Sequence, residues 1–268
     1  MDDVSHGLEV AQAAVQEAAV RIRAVAGQAR RIEYKSAIDL VTEIDGEIEA
    51  LVGARLRAAF PSHVIVGEEA SAGKPVRPQA DQWAWYLDPI DGTTNFAHGH
   101  PQVAVSLALA RGTQLELGIV CDPGRDETFT ARRGGGATLN GRPIRVSAVA
   151  ELGAALLASG LPYDRRVHLD AYFDVFKAFV MRAQGIRRAG SAALDLCWLA
   201  CGRFDAYWEW KLGPWDVAAG ALIVREAGGM VSDFTGGPFD LYGQQTLASN
   251  GHLHAAMIDV LRTFPPPP

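Results

Sequence analysis

Cysteine is scarce, with three residues in a chain of 268. That number is odd and too small for a disulfide framework, which points to a reducing compartment and makes the cytoplasm the expected location. An excess of basic charge is missing as well. Lys and Arg number 25 against 31 Asp and Glu, a net charge of −6, so no general field attracts nucleic acid or an anionic membrane. No apolar run reaches the roughly 18 residues that a membrane-spanning helix needs. Behind Met1 stand Asp2 and Asp3, then Glu9, Gln12, Gln16 and Glu17, so no secretory leader with a basic start and an apolar middle is expected. Internal repeats, Gly/Ser linkers and charge blocks are also lacking. What is present is a 49% hydrophobic, 21% charged composition, ordinary for a folded chain able to bury a sizeable core.

Hydrophobic periodicity divides the chain into helices and strands. Ala11, Val15, Ala18, Ile22 and Val25 recur at helical spacing and predict a helix from residue 8, stopped at Gly27. Thr42 and Asp45 have the spacing of a capping box, and Ile44, Ile48, Leu51 and Leu56 continue a second helix to Pro61. The middle reads as strands over 63–67, 83–87, 103–110, 115–121 and 127–131, with Asp122-Pro123-Gly124 and Asn140-Gly141 as hairpin turns. That stretch is therefore more antiparallel than doubly wound. Further on, a strand near Leu156, helices over 172–180, 192–201 and 215–227, and strands over 203–210, 230–234 and 246–249 complete a mixed α/β, or α+β, layered fold. One domain over 1–268 is expected, with halves 1–145 and 146–264 as the alternative division, joined over 141–153. The prolines at 265–268 read as a loose tail.

Acids occupy unusual places. An apolar strand delivers Asp88, Pro89 is expected to turn the chain, and Asp91 follows with Gly92, Thr93 and Thr94 behind it. Two carboxylates three residues apart can converge on one point, at a Coulomb cost that a hard divalent cation relieves. The glycine and threonines then offer N–H groups and hydroxyls suited to phosphate oxygens. Taken alone, the same string is equally a polar turn, since Asp, Pro and Gly are the commonest turn residues. Two more sites shift the balance: Glu68 and Glu69 end the apolar run Val64-Ile65-Val66, and Asp216 opens a helix after Trp215. Three acid clusters at element ends fit an oxygen-ligated Mg²⁺ site.

These residues carry a resemblance. Gly67-Glu68-Glu69, Asp88-Pro89-Ile90-Asp91-Gly92-Thr93-Thr94 and Trp215-Asp216-Val217-Ala218-Ala219-Gly220 together resemble the inositol monophosphatase family of Mg²⁺-dependent, lithium-sensitive phosphatases. The string from Asp39 to Asp45 resembles the family's upstream motif, and Gly190-Ser191-Ala192-Ala193 and Glu209 resemble its substrate-side elements. Order and spacing agree over nearly the whole chain. The resemblance implies a layered αβαβα sandwich, usually a homodimer.

Carried over residue by residue, it places Glu68, Asp88 and the carbonyl of Ile90 on one Mg²⁺, and Asp88, Asp91 and Asp216 on a second. Glu68 would also reach a third, weaker ion. Asp45 and Thr93 would orient and activate the attacking water, and the N–H groups of Gly92, Thr93 and Thr94 would hold phosphate. Ala192, Glu209 and Asp216 would meet the alcohol half, and Lys35 would lie on a catalytic loop. The implied activity is phosphomonoester hydrolysis without a covalent phosphoenzyme, with myo-inositol monophosphate as the expected substrate.

Rival readings share the metal motif: histidinol-phosphate phosphatase, fructose-1,6-bisphosphatase and phosphatases of 3′-phosphoadenosine nucleotides. A reading of another class, a regulatory partner of the transcription machinery, rests on a bacterial family member; no basic patch adds direct RNA contact. Cys197 and Cys201, four apart, read as core thiols rather than metal ligands. His98 and His100 read as structural, Gly134-Gly135-Gly136 as a hairpin connection, and Tyr207, Trp208, Trp210 and Trp215 as core or interface aromatics.

Overall fold

The computed structural model describes residues 3–27, 32–34, 40–71 and 76–264. Helix α1 (Asp3–Val25) precedes a small antiparallel pair, β1 (Ile32–Tyr34) and β2 (Leu40–Thr42), and helix α2 (Glu43–Ala59). Then come β3 (Val64–Gly67), the one-turn helix α3 (Glu68–Ser71), β4 (Trp83–Asp91) and the short helix α4 (Thr93–Ala97). Strands β5 (Ala104–Arg111), β6 (Gln114–Asp122), β7 (Glu127–Arg132), β8 (Gly136–Leu139) and β9 (Arg142–Pro143) follow as a meander. The rest runs β10 (Leu156–Ser159), α5 (Leu169–Val180), β11 (Gly185–Arg187), α6 (Ala192–Ala200), β12 (Ala206–Trp210), α7 (Pro214–Glu226), β13 (Met230–Ser232), β14 (Gln245–Ser249) and α8 (His254–Leu261).

Two sheets organise these elements. The first has seven strands in sequence order from β3 to β9, antiparallel throughout except where β3 lies parallel to β4. The second has five, ordered β11-β10-β12-β14-β13. Period-two alternation sends the faces of each sheet into different cores. On β4, Trp85 and Leu87 pack with α1 and α2, whereas Ala84 and Tyr86 face α6 and α7. On β12, Tyr207 joins that same inner core, while Trp208 and Trp210 pack toward α5 and α8. The five layers are therefore α1/α2, seven strands, α6/α7, five strands and α5/α8, the expected αβαβα sandwich. Among the described residues no helix is long and apolar enough to cross a membrane.

The middle helices are buried from both sides, so they are apolar almost all round, and small residues let them sit close. A Cβ on Gly118 of β6 would lie 2.8 Å from the Ala219 carbonyl oxygen of α7. One on Gly220 would lie 2.6 Å from Leu196 Cβ of α6. This contact fixes α7 against the first sheet, and Ser106 Oγ on β5 donates to the Trp215 carbonyl at 3.1 Å. Asp216 is thereby carried to the end of β4.

The strand expected over 83–87 runs on to Asp91. Pro89 does not turn the chain; it sits in a β-bulge, since Asp88 pairs with Ser106 and Asp91 with Ala104. A bulge leaves one residue outside the ladder, where proline's missing N–H is harmless. The expected hairpins at Asp122-Pro123-Gly124 and Asn140-Gly141 are present, the latter with φ of 49° and 75° as a primed turn requires. Cys197 is buried and Cys201 half-buried, both free thiols. The tail 265–268, Asp39 and the side chain of Thr42 lie outside the described residues.

Replacing Gly220 with Ala should overpack the α6–α7 contact and cost about 1–3 kcal/mol of stability. Urea unfolding with an unchanged midpoint would show that the two helices separate freely.

Candidate active site

Where β3 and β4 end, the chain opens a cavity of about 730 Å³ lined by Glu68, Asp88, Ile90, Asp91, Gly92, Thr93, Thr94 and Asp216. Each acid arrives on its own support. Glu68 starts α3, whose Glu69 and Ala70 N–H groups donate to the Glu49 carboxylate of α2 at 2.9 and 2.8 Å. Gly67 before it leaves room for that carboxylate, which a Cβ there would push aside. Asp88 lies on the bulge and accepts the Ile90 N–H at 3.0 Å. Asp216 lies in the first turn of α7 and accepts the Gly213 N–H at 2.6 Å.

Asp91 is held most fully. It accepts from Ser191 Oγ at 2.6 Å, Ala193 N–H at 2.7 Å and Ala192 N–H at 3.2 Å. These donors belong to the start of α6, whose dipole favours an anion there. Burial still pushes the Asp91 carboxyl up to about 6, against the pull of those bonds. Asp88 is raised well above the ordinary carboxylate range, first by burial and then by the charges of Glu68, Asp91, Asp216 and Asp45. Asp216 is raised by burial and by the charges of Glu68 and Asp91, against the pull of the Gly213 N–H. Among the described residues no three such side chains close into a formed metal cage. The donor set is nonetheless all carboxylate oxygen and mutually repelling, which fits hard divalent cations.

A hydroxyl stands beside the acids. Thr93 Oγ1 is 2.9 Å from Asp45 Oδ1 and 3.0 Å from the Ile90 carbonyl oxygen. Asp45 is fully buried on α2. Thr93 opens α4 behind Gly92, whose φ of +94° and close approach to the Gln102 carbonyl exclude any side chain. Thr93 and Thr94 thus contribute N–H groups of a first turn, which have no intrahelical carbonyl to bond. Asn95 Nδ2 ties this loop to the Gln102, Ala189 and Gly190 carbonyls at 2.8, 2.9 and 3.2 Å.

The other end of the cavity belongs to the second sheet. Ala192 and Glu209 line it with Gly160, Arg188 and Asp195. Tyr207 Oη donates to Glu209 Oε2 at 2.5 Å, on the strand face that alternation predicts. Glu209 is buried rather than a solvated strand-end acid, and burial pushes its carboxyl up to about 7. A side chain at Gly160 would displace the Glu209 carboxylate, which a Cβ there would strike. The expected residues Asp45, Glu68, Asp88, Ile90, Asp91, Gly92, Thr93, Thr94, Ala192, Glu209 and Asp216 therefore meet around one site, and Lys35 lies outside the described residues. His98 and His100 are exposed and do not line the cavity. Sequence reasoning missed Asn95 and Gly160, and it did not give Ser191 its role as the Asp91 donor; only Ser191, just before an apolar helix, carried a capping signal.

A five-layer αβαβα sandwich with an acid-lined cavity at its strand ends defines a phosphatase of the sandwich class. The chain belongs to the inositol monophosphatase family, whose model matches residues 3–264. It is similar to the Nus factor SuhB of Pseudomonas aeruginosa, 47% identical over 238 residues and 88% of each chain. It is also similar to the inositol-1-monophosphatase of Synechocystis sp., 43% identical over 265 residues, covering 98% of this chain and 91% of that one. The structure of an inositol monophosphatase from Anabaena superposes with a TM-score of 0.87 at 37% identity, over 99% of this chain and 98% of the other. The family is metal-dependent.

Asp88→Asn removes a buried charge from among four others, so the chelated protein should gain about 1 kcal/mol or more. The sign with pH follows from a folded carboxyl raised above its unfolded value. Such a group costs nothing while both states are protonated, and its penalty grows as pH climbs above about 4, where an unfolded Asp ionises. The gap in thermal midpoint between variant and parent should open over that range. A gap that closes instead would contradict the repulsion.

Proposed function

We propose that the protein hydrolyses phosphomonoesters of polyols, with myo-inositol 1-phosphate as substrate and Mg²⁺ as cofactor. The observation that carries this reading is the Thr93–Asp45 hydrogen bond at the edge of a cavity walled by Glu68, Asp88, Asp91 and Asp216. Glu68, Asp88 and the Ile90 carbonyl would hold one ion, and Asp88, Asp91 and Asp216 another. Mg²⁺ bound there supplies positive charge that stabilises the phosphoryl oxygens and the leaving alkoxide and makes a neighbouring water more acidic.

This chain's own residues do the rest. The Thr93 hydroxyl donates to Asp45 and keeps a lone pair free to accept a proton from the attacking water. As water oxygen bonds to phosphorus, its proton passes to Thr93 Oγ1 and the threonine proton to Asp45 Oδ1. The ester P–O bond breaks on the opposite side, and the alkoxide takes its proton from solvent. Gly92, Thr93 and Thr94 N–H groups orient the phosphate. Glu209, held by Tyr207, accepts from a hydroxyl of the alcohol. No side chain becomes covalently phosphorylated.

The 47% identity to a protein named Nus factor supports a second reading, a contact with the transcription machinery beside catalysis. Such a contact should survive Asp91→Asn, whereas phosphate release should not. The homodimer expected from the family is checked by sedimentation.

Phosphate release from inositol 1-phosphate, histidinol phosphate, fructose 1,6-bisphosphate, 2′-AMP and 3′-phosphoadenosine 5′-phosphate tests the substrate. Inositol 1-phosphate should lead and excess chelator should abolish turnover. Thr93→Ala should lower kcat by roughly a hundredfold with little change in KM. Full activity in chelator would overturn the metal assignment, and another leading ester would replace the alcohol.

A further inference from the structure

Helix α6 offers a second acid to the cavity. Asp195 lies one turn beyond Ser191 on the same helical face, and helical side chains lean toward the N-terminus. Its carboxyl therefore stands over the turn at which Ser191 holds Asp91. It is 1% exposed and lines the cavity with Glu209.

The other buried acids around the cavity each have a donor. Asp45 has Thr93, Asp88 the Ile90 N–H, Asp91 three groups of α6, Asp216 the Gly213 N–H and Glu209 the Tyr207 hydroxyl. Asp195 Oδ1 is buried and has no hydrogen-bond partner. Buried polar atoms in folded proteins are almost always paired, and an exception calls for an explanation. On a cavity wall, the partner that completes it is a donor brought by the ligand.

The geometry points to Asp195 as a second specificity residue of the alcohol pocket, accepting a hydrogen bond from one substrate hydroxyl while Glu209 accepts from another. This assignment rests on the polyol reading above. Arg188 lines the same end of the cavity beside these two acids. Two acceptors call for two donors, so the substrate class is a polyhydroxylated ring or chain rather than a monohydric alcohol. Asp195 is 1% exposed, so its side chain turns toward the ligand on binding while Ser191 and Tyr207 keep α6 and β12 in place.

The test compares wild type, Asp195→Ala and Asp195→Asn at saturating Mg²⁺ on three kinds of ester: inositol 1-phosphate, its single-deoxy analogues and p-nitrophenyl phosphate. In Asp195→Ala, kcat/KM for inositol 1-phosphate relative to p-nitrophenyl phosphate should fall tenfold or more, chiefly through KM. For one deoxy analogue the wild type and Asp195→Ala should converge, because the hydroxyl that Asp195 accepts is already missing. Asp195→Asn keeps the shape and one acceptor and should fall between the two. Equal losses on every ester, or an unchanged preference in both variants, would overturn the assignment alone. A wild type that itself prefers p-nitrophenyl phosphate would overturn the polyol reading and this residue's role together, before any variant is compared.

Discussion

Several carboxylates buried around one point repel one another, and nearly everything else in this fold serves to keep them there. Desolvation and mutual charge push Asp88 and Asp216 well above the ordinary carboxylate range. Left to relax, such groups would turn outward to water. They are prevented because each is tied to a different rigid element: a bulge in β4, the first turn of α7, and a one-turn helix clamped by Glu49. The large apolar layers supply the stability that the site withdraws, which is the usual relation between a strained functional centre and its scaffold. A bound cation reverses the sign of the interaction and makes the same crowding favourable.

The layers also divide the labour. The first sheet, with α2, α3 and α4, brings Asp45, Glu68, Asp88, Asp91 and the threonines, all suited to phosphate and metal. The second sheet brings Gly160 and Glu209, suited to the alcohol. Helix α6 touches both ends, through Ser191 on Asp91 and Asp195 beside Glu209. It is the mechanical link between the carboxylate end of the cavity and the Glu209 end. Its burial on both faces explains why its remaining residues are Ala, Leu, Cys and Trp.

Much of this was legible in the residues because acids at the ends of apolar strands have few structural reasons to be there. Asp88, Asp91, Glu68 and Asp216 stand out for that reason, and alternation along 203–210 places Glu209 with Tyr207 and away from Trp208. The layer order follows from the resemblance, not from periodicity alone. What could not be read were contacts between distant segments. Asn95 bonding Ala189 and Gly190, or Gly160 making room for Glu209, join residues that no local pattern connects. Pro89 misled for a local reason: proline signals a turn, but a bulge also accommodates it, and only the register with Ser106 and Ala104 distinguishes the two.

Overall similarity does not separate the functions that relatives of this chain carry, since a Nus factor and an inositol monophosphatase lie at 47% and 43% identity. On the proposed reading, the carboxylate end answers to the ion and the phosphate, so its residues carry no information on the alcohol. On the polyol reading proposed above, discrimination falls to the side chains that face the far end of the cavity, on β12 and on α6, whose start also holds Asp91. A substitution there is felt at the carboxylate end as well, since the charge of Asp91 reaches both Asp195 and Glu209. The two ends of the cavity thus come from different layers and are joined through α6.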